Sequence, residues 1–381
     1  MTRAGLDQSG IRRLNTGVAL RALAEAAEDM TMIELAGRTG LSRRTIELIL
    51  AALVEAGWVE ELDRIPVTGG AGRPPRRFRL RAEHALLAAV RVNTLEGSAV
   101  VSDVRGSILG RARRPLRQYH DPRSTLDDAA DLVREALVAA GGTADRLRAG
   151  AVASGGAIDA DGVVRRLVFT EHWEGVDLPA ELGSRIHIPW FADNDANLGA
   201  LAERWRGAAR DHEDVVWAQL GSRTGLGILI HGRVHRGFQG AAGEIVEAAS
   251  MSARTLDDHP VAWLTSPVRT QRDAARERVD AARAMDPAAL AEVDEFVEHI
   301  VSILTTLSWT IAPSLIVLGG GLEDAADVLL PRVRERMRAA RTPDIELRTT
   351  TLGPDGPLVG ALKFALDHMD TKLFGPVVHE A

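Results

Sequence analysis

Two sets of residues in this 381-residue chain have the types and spacing to do chemistry. The first is a scatter of carboxylates and amides beside glycines. In the run Asp193-Asn194-Asp195-Ala196-Asn197, Asn194 and Asp195 place an amide next to a carboxylate. Such a pair can grip vicinal hydroxyls, and the carboxylate can act as a general base toward one of them. Both residue types also suit a helix N-cap, and spacing alone favours the cap. Gly155-Gly156 lets a backbone approach a ligand closely or makes a plain tight turn. Glu244 offers another carboxylate after the glycine-rich stretch 232–240, or belongs to a solvated loop. Gly319-Gly320-Gly321 can sit over an adenine or simply turn the chain.

The second set is cationic. Ser42, Arg43, Arg44, Thr45 and Glu47 stand off the apolar stripe of a short helical segment. Arginine there can contact guanine bidentately, and Ser and Thr can reach phosphate or base edges. Between Arg73 and Arg81 lie five arginines, Arg76 among them, and no acid before Glu83. Gly72 and Pro74 would hold Arg73 on an extended loop able to enter a minor groove. A charge run is usually a solvated face, so its meaning depends on the elements around it.

Those elements begin with three helical stretches. The first spans 17–28 with Leu20, Leu23, Ala24 and Ala27 at helical spacing. Thr31-Met32-Ile33-Glu34 is a capping box that opens the second, which ends at Gly40. Ser42 caps the third, whose apolar face is Ile46, Ile49, Leu50, Leu53 and Val54, with Gly57 as terminator. Two β-prone runs, 58–62 and 78–80, flank a turn-rich segment and predict a hairpin wing. Helix, short turn, basic helix and wing together predict a DNA-binding winged helix-turn-helix.

After about residue 85 strands and helices alternate, with glycines at the junctions. Runs 86–92 and 98–103 read as paired strands with Gly97 between them, and Thr125 reads as the cap of a helix. Strands at 149–153, 188–192, 215–220, 227–230 and 315–318 lead into the loops named above. That pattern predicts α/β architecture with a ligand at the strand ends.

The chain is 45% hydrophobic and 26% charged, which fits a globular protein of more than one unit. It has no cysteine, so disulfides and thiolate metal sites are excluded. It shows no apolar leader and no run of ~18 apolar residues, so a cytoplasmic location is expected. Residues 1–81 carry 13 arginines against 10 acids, while the remainder sums to −10. A basic head on an acidic body puts phosphate-binding capacity at one end.

In order along the chain, these segments resemble the ROK family (repressors, open reading frames and kinases). The resemblance rests on Thr39 to Ser42, Gly72 to Pro75, Asn194 to Asn197, His231-Gly232-Arg233 running to Arg236-Gly237, Ala242 to Ile245, and Leu318 to Gly321. It implies a winged helix over 1–81, then an actin-like, sugar-kinase-type sensor and oligomerisation domain of two lobes over 82–381. It implies that Asn194, Asp195 and Glu244 match sugar-binding positions, with Gly155-Gly156 a partial match to a sugar-side loop. Asp195 matches the base of the kinase members.

Departures from the pattern point away from catalysis. The phosphate loop Asp-x-Gly-x-Thr reads Arg91-Val92-Asn93-Thr94-Leu95 here, and Arg223 replaces a glycine in 221–225. Arginine in place of a Mg²⁺-associated aspartate repels the metal. The family's zinc motif needs cysteines, and its histidine is Glu247, which could accept a hydrogen bond from the same sugar hydroxyl. His231 and His235 fall on an exposed hairpin and do not restore a metal site. Trp173 could stack on a sugar, though a buried structural role is the safer reading.

The expectation is therefore a transcriptional regulator without ATP, zinc or other cofactor. Its expected partners are operator DNA, a sugar or sugar-phosphate effector (reached in the latter case by Arg91 or Arg223) and a second copy, as a homodimer or dimer of dimers. The alternative is an ATP-dependent sugar kinase with an accessory DNA-binding head.

Overall fold

A computed structural model describes residues 8–62, 75–93, 96–116, 119–168, 170–222, 224–248 and 259–374. Arg73, the Thr94-Leu95 pair and Arg223 lie outside the described residues.

The head opens with helix α1 (Gln8–Glu25), followed by strand β1 (Met30–Thr31), helix α2 (Met32–Thr39) and helix α3 (Arg43–Glu55). Helix α1 starts and stops earlier than its apolar spacing suggests, so Ala22 and Ala26 enter the core and Ala27 is left exposed. The local signals for α2 and α3 act as read. Thr31 and Glu34 exchange reciprocal bonds at the start of α2, and Gly40 ends it at φ +70°. The Ser42 side chain accepts from the Thr45 amide. Ile46, Ile49, Leu50 and Leu53 are buried, whereas Val54 faces outward. Strands β2 (Val59–Leu62) and β3 (Arg77–Leu80) pair antiparallel, and β3 also pairs with β1.

The body repeats one topology twice. In the first lobe β4 (Leu86–Val92), β5 (Glu96–Asp103) and β6 (Ile108–Pro115) form an antiparallel meander. Gly97 is not a turn residue; it pairs with Val92 inside β5. Helix α4 (Pro122–Ala139) follows, capped by Asp121 with Pro122 at its first position, so Thr125 is an interior, buried residue. Strand β7 (Leu147–Ser154) then joins β4 in parallel. The minor strands β8 (Ala157–Ile158) and β9 (Val164–Arg166) and helix α5 (Leu178–Arg185) lead to β10 (Trp190–Asn194), parallel to β7. The sheet order is β10-β7-β4-β5-β6.

Helix α6 (Asp195–Arg206) crosses to the second lobe. There β11 (Val215–Gln219), β12 (Gly225–Ile230) and β13 (Arg233–Val234) form the second meander. Helices α7 (Arg269–Arg283) and α8 (Pro287–Thr310) precede β14 (Leu315–Leu318), helix α9 (Ala326–Ala339) and β15 (Glu346–Thr349). The order β13-β12-β11-β14-β15 mirrors the first sheet, with two parallel strands added to a meander. Helix α10 (Gly356–Phe374) returns to the first lobe and packs on α6 and on α1 of the head. A Cβ at Gly360 would collide with the Leu198 carbonyl, so glycine sets how closely α6 and α10 approach.

Each lobe has its own apolar core. The head shares one with the first lobe: Leu20, Leu23 and Leu35 belong to the same buried cluster as Leu87, Leu358 and Leu362. No helix among the described residues is long and apolar enough to cross a membrane.

Candidate effector cleft and DNA-reading head

The carboxyl ends of β4, β7, β10 and β11 meet at a cleft between the lobes, the usual ligand position in α/β sheets. Strand β7 ends at Ser154 and runs into Gly155-Gly156; β10 ends at Asn194, and α6 starts at the next residue. Gly156 has φ +88°, and a Cβ there would strike the Arg166 carbonyl. The cavity is about 280 Å³, near the lower end of the ~300–1,000 Å³ typical of small-ligand sites. Gly155, Gly156, Asn194, Asp195 and Glu244 all line it, joined by Tyr119, Trp217, Gln219 and Thr224. The side chain of Glu247 lies outside the described residues.

Asn194 is both cap and organiser. Its Oδ1 accepts from the amides of Ala196 and Asn197 at 2.8 and 3.2 Å. Its Nδ2 donates to the Gly156 carbonyl at 2.9 Å and to Glu244 Oε1 at 3.0 Å. The amide thus ties the glycine loop to the second-lobe carboxylate. Beneath it Asp193 is fully buried, accepting from the Asn194 amide, from Asn197 Nδ2 and, at 2.6 Å, from Arg236. Burial pushes the Asp193 carboxyl up and the Arg236 guanidinium pulls it down. Burial prevails and the carboxyl sits above its ordinary value, while the guanidinium at 2.6 Å and two further donors satisfy its oxygens. Arg236 comes from the second lobe and also lies over the Phe364 ring of α10, so it pins both lobes beneath the cleft.

Asp195 is not a free carboxylate. Arg91 on β4 donates to its Oδ2 at 2.7 Å, and the Arg91 side chain is 9% exposed. The sequence marked Arg91 as a metal-repelling substitution; it gave no sign that the partner would be the would-be base. Tyr119, the chain's one tyrosine, was also missed. Burial, with the Asp195 charge adding to it, raises its phenol above the ordinary value. Trp173 is fully buried behind it, donating to the Tyr119 carbonyl at 2.9 Å, so Trp173 supports the wall and offers no face to a sugar.

The glycine turn after β14 is covered by the chain itself. A Cβ at Gly319 would lie 2.6 Å from Trp217 Nε1, and one at Gly320 would meet the Gln219 side chain. The Gly321 amide donates to the Glu323 carboxylate at 2.8 Å. The amide of this turn is thus already taken by a carboxylate of the chain itself.

Comparison with known proteins now bears on this arrangement. The ROK family model matches residues 89–246 and 261–368, most of the chain. The chain belongs to the ROK family. An IclR helix-turn-helix domain matches residues 18–63 of this ROK protein. The xylose repressor of Bacillus subtilis (strain 168) is 22% identical over 380 residues, covering 95% of this chain and 97% of the repressor. The glucokinase of Thermotoga maritima is 28% identical over 214 residues, covering 49% of this chain and 68% of the kinase. Among solved structures, a ROK family transcriptional regulator described as a homolog of the E. coli MLC protein superposes with a TM-score of 0.71. It shares 19% identity and covers 96% of this chain and 98% of its own. A Streptomyces griseus ROK glucokinase in complex with glucose and AMPPNP gives 0.59 at 23% identity, over 74% of this chain. These likenesses establish a winged head followed by the sugar-kinase-type fold.

On the head of this ROK protein, Ser42, Arg43, Arg44 and Glu47 are exposed at the start of α3, and Thr45 is partly so. Arg44 pairs with Glu47 at 2.9 Å, and the Ser42 and Thr45 hydroxyls are 2.8 Å apart. Arg76 is exposed and pairs with Glu61 at 3.3 Å. The arginine run does not all point outward. Arg79 grips Asp29 through two bonds of 2.8 and 3.0 Å, and Arg77 donates to the Asp29 carbonyl. Hydrogen bonding to Arg79 holds the Asp29 carboxyl below its ordinary value. Period-2 alternation along β3 explains this: Phe78 and Leu80 turn inward, and Arg77 and Arg79 share the opposite face, beside Asp29.

The head is latched to the body. Arg105, at the turn between β5 and β6, donates to the carbonyls of Ala26 and Leu23 at 3.1 and 3.2 Å. Arg206, the last residue of α6, donates to the carbonyls of Gly106 (2.8 Å) and Arg105. The Trp58 and His84 rings lie 4.8 Å apart, tilted by 55°.

Proposed function

We propose that the protein is a sugar-responsive, sequence-specific transcriptional regulator, most simply a repressor of carbohydrate genes. Residues 1–81 read operator DNA, and residues 82–381 sense a sugar or sugar phosphate and oligomerise. Ser42, Arg43, Arg44, Thr45, Glu47, Arg73 and Arg76 serve the DNA; Gly155, Gly156, Asn194, Asp195, Glu244 and Glu247 serve the effector. One winged helix reads few base pairs, so two heads on a palindrome, from a homodimer or dimer of dimers, multiply specificity.

The observation that carries the receptor reading is the Arg91–Asp195 ion pair. A general base must be free to reach a substrate hydroxyl, and Asp195 Oδ2 is already occupied by the Arg91 guanidinium at 2.7 Å. The covered glycine turn supports the same reading. The cleft therefore acts as a binding site and not as a phosphotransferase.

Helix α6 supports a route from cleft to head. Its first turn carries Asn194 and Asp195; its last residue, about 18 Å away at 1.5 Å per residue, holds the hairpin turn from which Arg105 grips the end of α1. A sugar that takes over the Asn194–Glu244 hydrogen bond, 3.0 Å long here, shifts the lobes and, through α6, the pose of the head.

Thermal-shift screening of xylose, glucose, N-acetylglucosamine and their phosphates tests the receptor, since a ligand of the folded state raises Tm. Each hit is then added to an operator-binding assay, with coupled ADP release measured alongside. A hit that changes DNA affinity without ADP release is expected. Steady ADP release would favour the kinase.

A further inference from the structure

We propose that Leu48 reads a thymine methyl group in the major groove; this rests on the DNA-binding reading of the head and names one contact within it. The buried residues Ile46, Ile49, Leu50 and Leu53 fix the rotation of α3. The opposite face then consists of Arg44, Glu47, Leu48 and Ala51, which fall together at helical spacing. Leu48 is 49% exposed.

A single exposed leucine is ordinary on a protein surface. Its surroundings set this one apart. Arg43 and Arg44 precede it at the positively polarised start of the helix, and they suit a polyanion and oppose an apolar protein partner. The acid beside it, Glu47, is already paired with Arg44 at 2.9 Å. Ala51 and Ala52 follow, exposed and small, so the helix can sit deep against whatever it meets. Of the groups displayed in the major groove, the thymine C5-methyl is the apolar one, and an aliphatic side chain is its match. Leu48 lies about one helical turn, ~5.4 Å, beyond Arg44, which spans one to two steps of ~3.4 Å along the duplex. The thymine therefore lies within two base pairs of the base that Arg44 contacts.

The test selects duplexes from a randomised pool with the full-length chain and replaces each thymine of the enriched site by uracil, removing only the methyl. Wild type is expected to lose about fourfold in affinity at one thymine per half-site, the factor for burying one such group. L48A is expected to bind the parent site more weakly and to ignore that replacement, while L48M, which keeps an apolar chain, remains sensitive. Equal uracil sensitivity in wild type and L48A at every position would overturn the proposal and leave DNA binding intact. Enrichment of no sequence would remove the DNA-binding reading and the proposal together.

Discussion

Replacing Arg105 by alanine tests whether the head is positioned by the hairpin turn. The side chain makes two guanidinium-to-carbonyl bonds, at 3.1 Å to Ala26 and 3.2 Å to Leu23, where the carbonyls of α1 end and negative potential collects. Bonds to a charged group contribute ~1.5–3 kcal/mol each. The site is half-exposed, so solvent replaces part of this, and the pair together is worth about 2–4 kcal/mol. That free energy corresponds to roughly 30- to 1,000-fold in local opening. Native-state hydrogen exchange reads it directly: amides in the last turn of α1 lose protection by such a factor in R105A, while those of β4 and β7 do not. R105K, with one compact donor, falls between. The regulatory consequence is that effector still binds but its effect on operator affinity shrinks toward none. Unchanged protection in α1, or an undiminished effector response with protection lost, would refute the relay through Arg105.

Two further outcomes follow from the buried charges. D195N leaves the Arg91 guanidinium buried without a counter-charge and is expected to cost about 3 kcal/mol, as is R91M in the opposite sense; the double variant R91M/D195N recovers much of the loss, and additive losses in a urea-unfolding cycle would show that the pair is not coupled. Glu203 is fully buried, accepting from Thr350 and from the Ala208 amide, and burial raises its carboxyl above the ordinary value of 4.5. Its contribution is fully present below that value and is lost as pH rises through the raised folded value. The Tm of E203Q is therefore expected to gain on wild type from pH 4.5 toward neutrality, and a difference flat in pH would contradict the assignment.

The starts of α2 and α3 were legible because their causes lie within one turn. Thr31 with Glu34 and Ser42 with Thr45 close bonds across three residues, so a short stretch of sequence contains both partners. The α/β alternation was legible for the same reason, through short apolar runs ending in glycine. Boundaries shifted where a neighbouring signal was stronger: Asp121 with Pro122 outranks Thr125, and Gly97 is held in a strand by its pairing with Val92.

What the sequence by itself determined is the order of elements, their caps, and which loops carry glycines and carboxylates, since each depends on residues a few positions apart. What only the tertiary structure decided is what those groups face. Arg91 meets Asp195 across 104 residues, Arg79 meets Asp29 across 50, and Arg105 meets Leu23 across 82. Arginine can point to solvent, phosphate or carboxylate from the same backbone, and local spacing does not choose among them. The choice comes from burial: once β4 is enclosed by its sheet and helices, the Arg91 charge needs a counter-ion within reach, and Asp195 at the start of α6 is the one the fold brings there.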